Sequence, residues 1–300
     1  MNAGTANIIE MLSDRVETLC EKGEWQEAYH ASQAVVDKAR SAVAHQEGGS
    51  ELALAGSLEI QADLLRQTGH LEDARYRYHE ALEILNQLEG DHDQVLARIS
   101  ASVAVLYDSV ENDVEAVRFY ERAIELYERA GMGSSEEVAD VCNNVGFIYR
   151  SIGNYDAAED LFLKGLDICN HTLGLEHEKT ATLCNNLGAL YLKSEKAAQA
   201  REMNMMALEA RLKVLGGAHP DTAQSHANLA LSLCQGGEAE EANEHFKAAV
   251  KIYERNIKSE SHEYAAVVEN YAEFLKISDD EKSADSLIKK AQKKLSKLSA

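Results

Sequence analysis

Asparagine recurs at one register of the chain, and its side chain is suited to holding a polypeptide backbone. The set consists of Asn144, Asn186, Asn228 and Asn270, each 42 residues after the last, with Asn143 and Asn185 beside two of its members. A carboxamide carries two donor hydrogens and an acceptor oxygen. It can therefore hold the backbone of a bound peptide without demanding a particular side chain. It can equally bond a neighbouring helix, which would also satisfy the amide, and both uses stay open.

Histidine and cysteine also recur, and these residue types ligate metals. His177 and His219 share one register, and Cys142 and Cys184 share another. Equivalent residues of adjacent helix pairs lie about 10 Å apart, whereas zinc holds its ligands at about 2.0–2.3 Å. The sequence has no Ser-His-Asp, phosphate-loop or dinucleotide-binding motif. We therefore expect no enzyme activity, no cofactor and no metal site.

Charge and cysteine usage narrow the partners and the compartment. The net charge of −21 repels phosphate backbones, which argues against nucleic acid as a partner. The charge serves solubility or steers a basic partner. The five cysteines form no Cys-x-x-Cys pair, so they are expected to be reduced thiols in a cytoplasmic protein. The first residues lack a basic start, and no apolar run approaches the length of a membrane span, so no signal peptide or span is expected.

Small residues recur with the same 42-residue period and predict where helices cross. One column is Ala74, Ala116, Ala158, Ala200, Ala242 and Ala284. A second, seven residues later, is Ala81, Ala123, Gly165, Ala207, Ala249 and Ala291. A third, twelve residues earlier, is Ala62, Ala104, Gly146, Gly188, Ala230 and Ala272. Helices at the close end of the packing range need small side chains where their backbones cross.

Larger residues and turn signals complete a repeating pair of helices. Tyr78, Tyr120, Phe162 and Phe246 form an aromatic column on the second helix. Gly69, Gly153 and Gly237 separate the two helices of their pairs, and Ser134 and Ser278 begin segments with capping-box spacing. We predict a single array over residues 1–300, with pairs at about 6–45, 51–90, 93–132, 135–174, 177–216, 219–258 and 261–298. The first pair is out of phase, because the loop HQEGGS absorbs four extra residues.

The last predicted helix, EKSADSLIKKAQKKLSKLSA, is basic and amphipathic. Such a helix can bind a membrane surface. The alternative is a polar cap on the end of the array, which repeat proteins require. The cap is the favoured interpretation, since lysines near a C-terminus also suit the helix dipole.

Two segments, VCNNVGFIYRSIGNYDAAEDLFLKGLDI and LCNNLGALYLKSEKAAQAREMNMMALEA, resemble tetratricopeptide-repeat (TPR) motifs. The 42-residue period is similar to the longer repeat of kinesin light chains. The resemblance implies an all-α TPR solenoid, a right-handed superhelix of about seven antiparallel helix pairs. Because the repeats begin almost at Met1, we expect no heptad region of the kinesin light chain kind.

The resemblance also implies that the first helix of each pair lines a concave groove, which would place the asparagines on its wall. The predicted peptide-binding residues are Asn143, Asn144, Phe147, Arg150, Asn185, Asn186, Ala189, Lys193, Asn228, Leu231 and Asn270. The predicted wall carries five basic and six acidic residues, so it is nearly neutral within an acidic chain. We expect it to accept an extended, neutral or mildly acidic segment with an apolar anchor near Phe147.

The sequence therefore predicts an adaptor or scaffold that binds an extended segment of a protein partner. The first alternative is a regulator in which a small peptide changes the curvature of the array. The second is self-assembly, with the groove or a terminal repeat bound by another copy.

Overall fold

The computed structural model describes residues 1–298, and across them the chain folds into fourteen α-helices with no strand. The predicted all-α TPR fold is confirmed. The helices are α1 (Ala3–Glu21), α2 (Trp25–Ala44), α3 (Ser50–Gln67), α4 (Leu71–Gln87), α5 (Asp93–Ser109), α6 (Asp113–Arg129), α7 (Glu136–Ser151), α8 (Tyr155–Thr172), α9 (Glu178–Lys193), α10 (Ala197–Val214), α11 (Pro220–Gln235), α12 (Ala239–Arg255), α13 (Ser261–Ile277) and α14 (Glu281–Leu295).

The helices form two compact units. The first is Met1–Gly133, with α1 to α6, and the second begins at Ser134 and holds α7 to α14. Inside each unit an odd-numbered helix packs on the even-numbered helix that follows it, and that helix contacts the next odd-numbered one. That the two units continue as one array stays a prediction.

The small-residue columns lie where the paired helices approach most closely. Ala74, Ala116, Ala158, Ala200, Ala242 and Ala284 are all fully buried. A Cβ added at Gly146 would lie 2.7 Å from the ring of Phe162. The rings of the aromatic column are buried above these crossings, as close packing of large side chains on small ones requires.

The turn inside each pair requires left-handed backbone at one position. Gly69, Gly153 and Gly237 supply it with φ near +80°, and Glu111, Glu195 and Asp279 adopt φ of 58–60° at the same register. The glycines predicted from the sequence are thus half of a column, and three acidic residues hold the same conformation. Side chains with a Cβ reach this region at a cost of about 1–2 kcal/mol.

The caps of α7 and α14 differ from the predicted capping boxes. α7 has Ser135 at its N-cap position, and the side chain of Ser135 makes no capping hydrogen bond. The N-cap of α14 is Asp280, whose carboxylate accepts from the backbone N–H of Ser283. Ser278 cannot serve there, because Asp279 takes the left-handed conformation of the turn before the helix begins.

Candidate functional site

The asparagines join successive odd-numbered helices of the second unit. Asn186 donates from Nδ2 to Oδ1 of Asn143 at 2.7 Å, linking α9 to α7. Asn228 donates to Oδ1 of Asn185 at 2.9 Å, linking α11 to α9 in the same way. Each bond spans 43 residues, so it is repeated with the period of the chain. We call Asn143, Asn185, Asn186 and Asn228 the amide stripe, and helix-to-helix bonding is one of the two roles predicted for it.

Weaker bonds extend the amide stripe sideways. Asn143 donates to Oδ1 of Asn144 at 3.4 Å, and Asn185 donates to Oε1 of Gln224 at the same distance. Asn185 is buried, while the other three members are half-buried. The stripe is therefore a hydrogen-bonded seam between helices that is still partly open to solvent.

Asn270 stands apart from this seam. Across residues 1–298 its side chain makes no hydrogen bond with another residue, and it is half-buried on α13. Its two donors and one acceptor are thus available to a ligand. The asparagines of one register accordingly divide into a structural group and one unengaged amide.

A cavity of about 940 Å³ opens beside Asn270, among α9, α11 and α13 and the C-terminal end of α7. Its apolar surface includes Leu231, Phe246 and Phe274, and the rings of the two phenylalanines lie 5.5 Å apart. Six predicted site residues line it: Arg150, Ala189, Lys193, Asn228, Leu231 and Asn270. The other five, Asn143, Asn144, Phe147, Asn185 and Asn186, lie outside the lining.

Charged side chains at the cavity are left without ion-pair partners. Neither Arg150 nor Lys193 forms an ion pair with a carboxylate of residues 1–298, and the same holds for Glu273 on α13. The guanidinium of Arg150 instead lies 4.5 Å from the ring centroid of Phe147, which is half-exposed. Desolvation lowers the pKa of Arg150. A partly desolvated cation without a counter-charge is a favourable contact for an anionic group.

The sequence did not indicate that Phe246 and Phe274 would form the apolar wall of a cavity. Phe246 was assigned to helix packing, and it is indeed fully buried. Phe274 follows Asn270 by four residues, so the two share a face of α13. That spacing was the available signal, because the groove was traced from positions near the small-residue column and not along the whole helix.

Gly188 and Asn204 form an unusual contact next to the amide stripe. Asn204 occupies the register of Phe162 and Phe246, and its side chain is fully buried. A Cβ at Gly188 would lie 2.1 Å from Oδ1 of Asn204. Asn204 donates to the backbone carbonyl of Asn228 at 3.2 Å, while its own Oδ1 has no hydrogen-bond partner in the described chain. The side chain thereby ties α10 to the cavity-lining turn of α11.

The recurring histidines cap helices. Nδ1 of His177 accepts from the backbone N–H of Lys179, and Nδ1 of His219 accepts from that of Asp221, both at 3.2 Å. Burial raises the pKa of Cys184 to about 11, which keeps its thiol protonated. Within residues 1–298, His, Cys, Asp and Glu form no group of three that could hold a metal ion.

A second histidine pair escaped the sequence analysis. Nδ1 of His226 on α11 and Nδ1 of His245 on α12 lie 2.8 Å apart, so one donates to the other. Desolvation, with a contribution from His245, lowers the pKa of His226 to about 4. The two residues are 19 positions apart and follow no shared register. Only the packing of α11 on α12 brings them together.

No helix in the described chain combines the length and apolar character needed to cross a bilayer. No curated protein matches the sequence. Solved structures do. BtubC (BKLC) from P. vanneervenii is 26% identical, with 76% of this chain and 90% of that chain covered and a TM-score of 0.67.

Two further structures share the fold. A kinesin light chain protein of Podosopora anserina with nearly identical TPR-like repeats is 19% identical, over 67% of this chain and 94% of that chain, with a TM-score of 0.57. A Rap protein complexed with competence and sporulation factor is 15% identical, over 97% of this chain and 77% of that chain, with a TM-score of 0.58.

The family model described as "Tetratricopeptide repeat" matches residues 53–129, 137–213 and 185–255, which together span more than half of the chain. Tetratricopeptide repeats generally mediate protein–protein interactions, and their scaffold is typically non-enzymatic. The kinesin-light-chain-like resemblance seen in the sequence agrees with the structural neighbours. The chain belongs to the tetratricopeptide-repeat family.

Proposed function

We propose that the cavity among α9, α11 and α13 binds an extended segment of a protein partner. The observation that carries the proposal is the combination of apolar surface from Leu231 and Phe274 with the unengaged amide of Asn270. Ligand sites typically enclose about 300–1,000 Å³ with apolar walls and a few polar groups that fix orientation. A volume of about 940 Å³ accommodates a short stretch of chain with one large apolar side chain.

The charges favour a neutral or mildly acidic segment. Two unpaired cations, Arg150 and Lys193, face one unpaired carboxylate, Glu273. A carboxylate of the partner would regain hydrogen bonds for the desolvated guanidinium of Arg150. The apolar anchor, predicted near Phe147, is better served by Leu231 and Phe274, since the ring of Phe147 is engaged with Arg150.

An adaptor or scaffold role follows from such binding. The first alternative, a peptide-responsive regulator, is supported by Asn228, which both lines the cavity and bonds Asn185 of α9. A ligand that competes for this amide would loosen the α9–α11 contact. Among proteins of the same fold, a Rap protein is complexed with competence and sporulation factor. Self-assembly is the second alternative.

The test begins with selection of peptides from a random library on the intact chain. The affinity of a selected peptide is then measured by fluorescence anisotropy for the Asn270→Ala and Lys193→Ala variants. Each should weaken binding about 5- to 30-fold, the equivalent of roughly 1–2 kcal/mol for one lost polar contact. Gln199→Ala is the matched control, because Gln199 is an exposed amide on α10 outside the cavity.

The outcomes separate the three roles. Equal affinity of the wild type and both cavity variants would refute binding in this cavity. A change in small-angle scattering on addition of the peptide favours the regulator, while unchanged scattering with intact affinity favours the adaptor. If the only binder recovered is the chain itself, self-assembly is the function to pursue.

A further inference from the structure

A row of unpaired lysines lies on α14, in a chain whose net charge is −21. Lys282, Lys289 and Lys293 have i, i+7 and i+11 spacing, which places them on one face of the helix. All three are exposed, and none forms an ion pair with residues 1–298. Their neighbours Lys290 and Lys294 both pair with Glu254 instead. We call the three unpaired residues the lysine row.

The lysine row faces away from the protein interior. Leu287, Ile288 and Leu295 form the apolar side of α14 and pack against the core cluster that includes α13. Since this apolar side is already covered, α14 has no free hydrophobic face to insert into another phase. The row therefore suits a folded surface that offers carboxylates at a matching spacing.

The first helix of the same chain offers such a surface. Glu10, Asp14, Glu17 and Glu21 of α1 are exposed and have i, i+4, i+7 and i+11 spacing. None of them forms an ion pair with residues 1–298. Beside this acidic row Met11 is 66% exposed and Ile8 is 44% exposed, so apolar area is available for burial as well.

The two rows match in spacing and in length. In a parallel pairing, Glu10, Glu17 and Glu21 stand at the offsets of the three lysines. In an antiparallel pairing, Glu21, Asp14 and Glu10 stand at the same offsets. Both rows extend about 16 Å along their helices at 1.5 Å per residue.

We propose that the lysine row of one copy docks on the acidic row of a second copy, joining copies of this chain. The inference does not rest on the peptide-binding proposal, because neither row lines the cavity. The interface is heterologous, so each copy keeps one free row of each kind, and association continues until a ring closes. Exposed ion pairs are individually weak and are screened by salt. Association should therefore depend on both protein concentration and ionic strength.

The experiment is sedimentation velocity of the full chain over a concentration series, at about 0.01 M and about 1 M salt, where the Debye length is about 30 Å and 3 Å. The wild type should form larger species at low salt and dissociate at high salt. Two charge-reversal variants are compared with it. One carries Lys282→Glu, Lys289→Glu and Lys293→Glu, and the other carries Glu10→Lys, Glu17→Lys and Glu21→Lys.

Each variant alone should remain a monomer, because its two rows now repel. An equimolar mixture of the two should associate again, since both interfaces are then complementary. The matched control reverses Lys251, Arg255 and Lys258, which are exposed, unpaired and change the net charge by the same amount as the lysine variant. It should associate as the wild type does.

Several results would overturn the proposal. A wild type that is monomeric at low salt at every concentration contradicts it, as does pairing of the rows within one chain, which shows no concentration dependence. Failure of the mixture to associate, with both variants folded by circular dichroism, also refutes it. Loss of association in the control variant would assign the effect to net charge and not to the rows.

Discussion

Removing two bonds of the amide stripe should lower the stability of the second unit. The double substitution Asn186→Ala and Asn228→Ala deletes the 2.7 Å and 2.9 Å hydrogen bonds that join α7, α9 and α11. The crossings at the small-residue columns are unchanged by it. Whatever stability is lost can therefore be assigned to the amides.

The magnitude follows from what each partner loses. A typical hydrogen bond contributes about 1 kcal/mol net. Asn143 is half-buried, so water can replace its lost donor, but Asn185 is only 4% exposed and keeps part of its desolvation penalty. An unsatisfied buried group costs about 1–3 kcal/mol. We expect a total loss of roughly 2–4 kcal/mol in the free energy of unfolding, or about 5–10 °C in Tm.

The assay is urea unfolding followed by circular dichroism, with Asn270→Ala as the matched control. Asn270 makes no hydrogen bond within the described chain, so its loss should change stability by less than about 0.5 kcal/mol. Peptide affinity should respond in the opposite order, falling in Asn270→Ala at unchanged stability. A double variant as stable as the wild type would show that the amide stripe does not hold the helices together.

Three further predictions test the packing, the turns and the histidine pair. Gly188→Ala should cost about 1–3 kcal/mol through overpacking against Asn204, whereas Gly56→Ala, where a Cβ meets nothing within 4 Å, should stabilise by about 0.5–1 kcal/mol; chemical denaturation of both decides it. Glu195→Gly should stabilise by about 0.5–1 kcal/mol in thermal unfolding, because glycine adopts φ of 58° without strain while losing more chain entropy. A destabilised variant would contradict this account of the turn. The lowered pKa of His226, about 4, means that the fold favours the neutral imidazole; its contribution is complete above pH of about 6.5 and is lost as pH falls toward 4. Unfolding measured against pH should lose this slope in His226→Phe, and an unchanged slope would refute the assignment.

The features that could be predicted from the sequence are those set by the repeat period. The column from Ala74 to Ala284 marks close crossings because a buried contact repeated every 42 residues demands the same small residue each time. The asparagine register was found for the same reason. Six of the eleven predicted site residues line the cavity, since they follow the face of the odd-numbered helices.

Features that depend on side-chain conformation or on departures from the repeat could not be predicted. The choice of Asn186 between a peptide and Asn143 is decided by rotamers and by the distance between two helices, neither of which the sequence encodes locally. Glu195 gives no local sign of left-handed backbone, because glutamate is ordinarily a good helix former. Asn204 interrupts an aromatic column, and such an exception acquires meaning only when its buried contact with Gly188 is seen.

The 43-residue step of the amide stripe makes the repeats of the second unit interchangeable parts. Removing residues 154–195 would delete Asn185 and Asn186 and bring Asn228 to the position that Asn186 held relative to Asn143. The donor of one bond then meets the acceptor of the other, at the same sequence separation. Gly153 would enter the turn in place of Glu195, with its left-handed backbone already present. Loss or duplication of a whole period thus leaves the seam without a mismatched amide, so the number of repeats can change in a single genetic event.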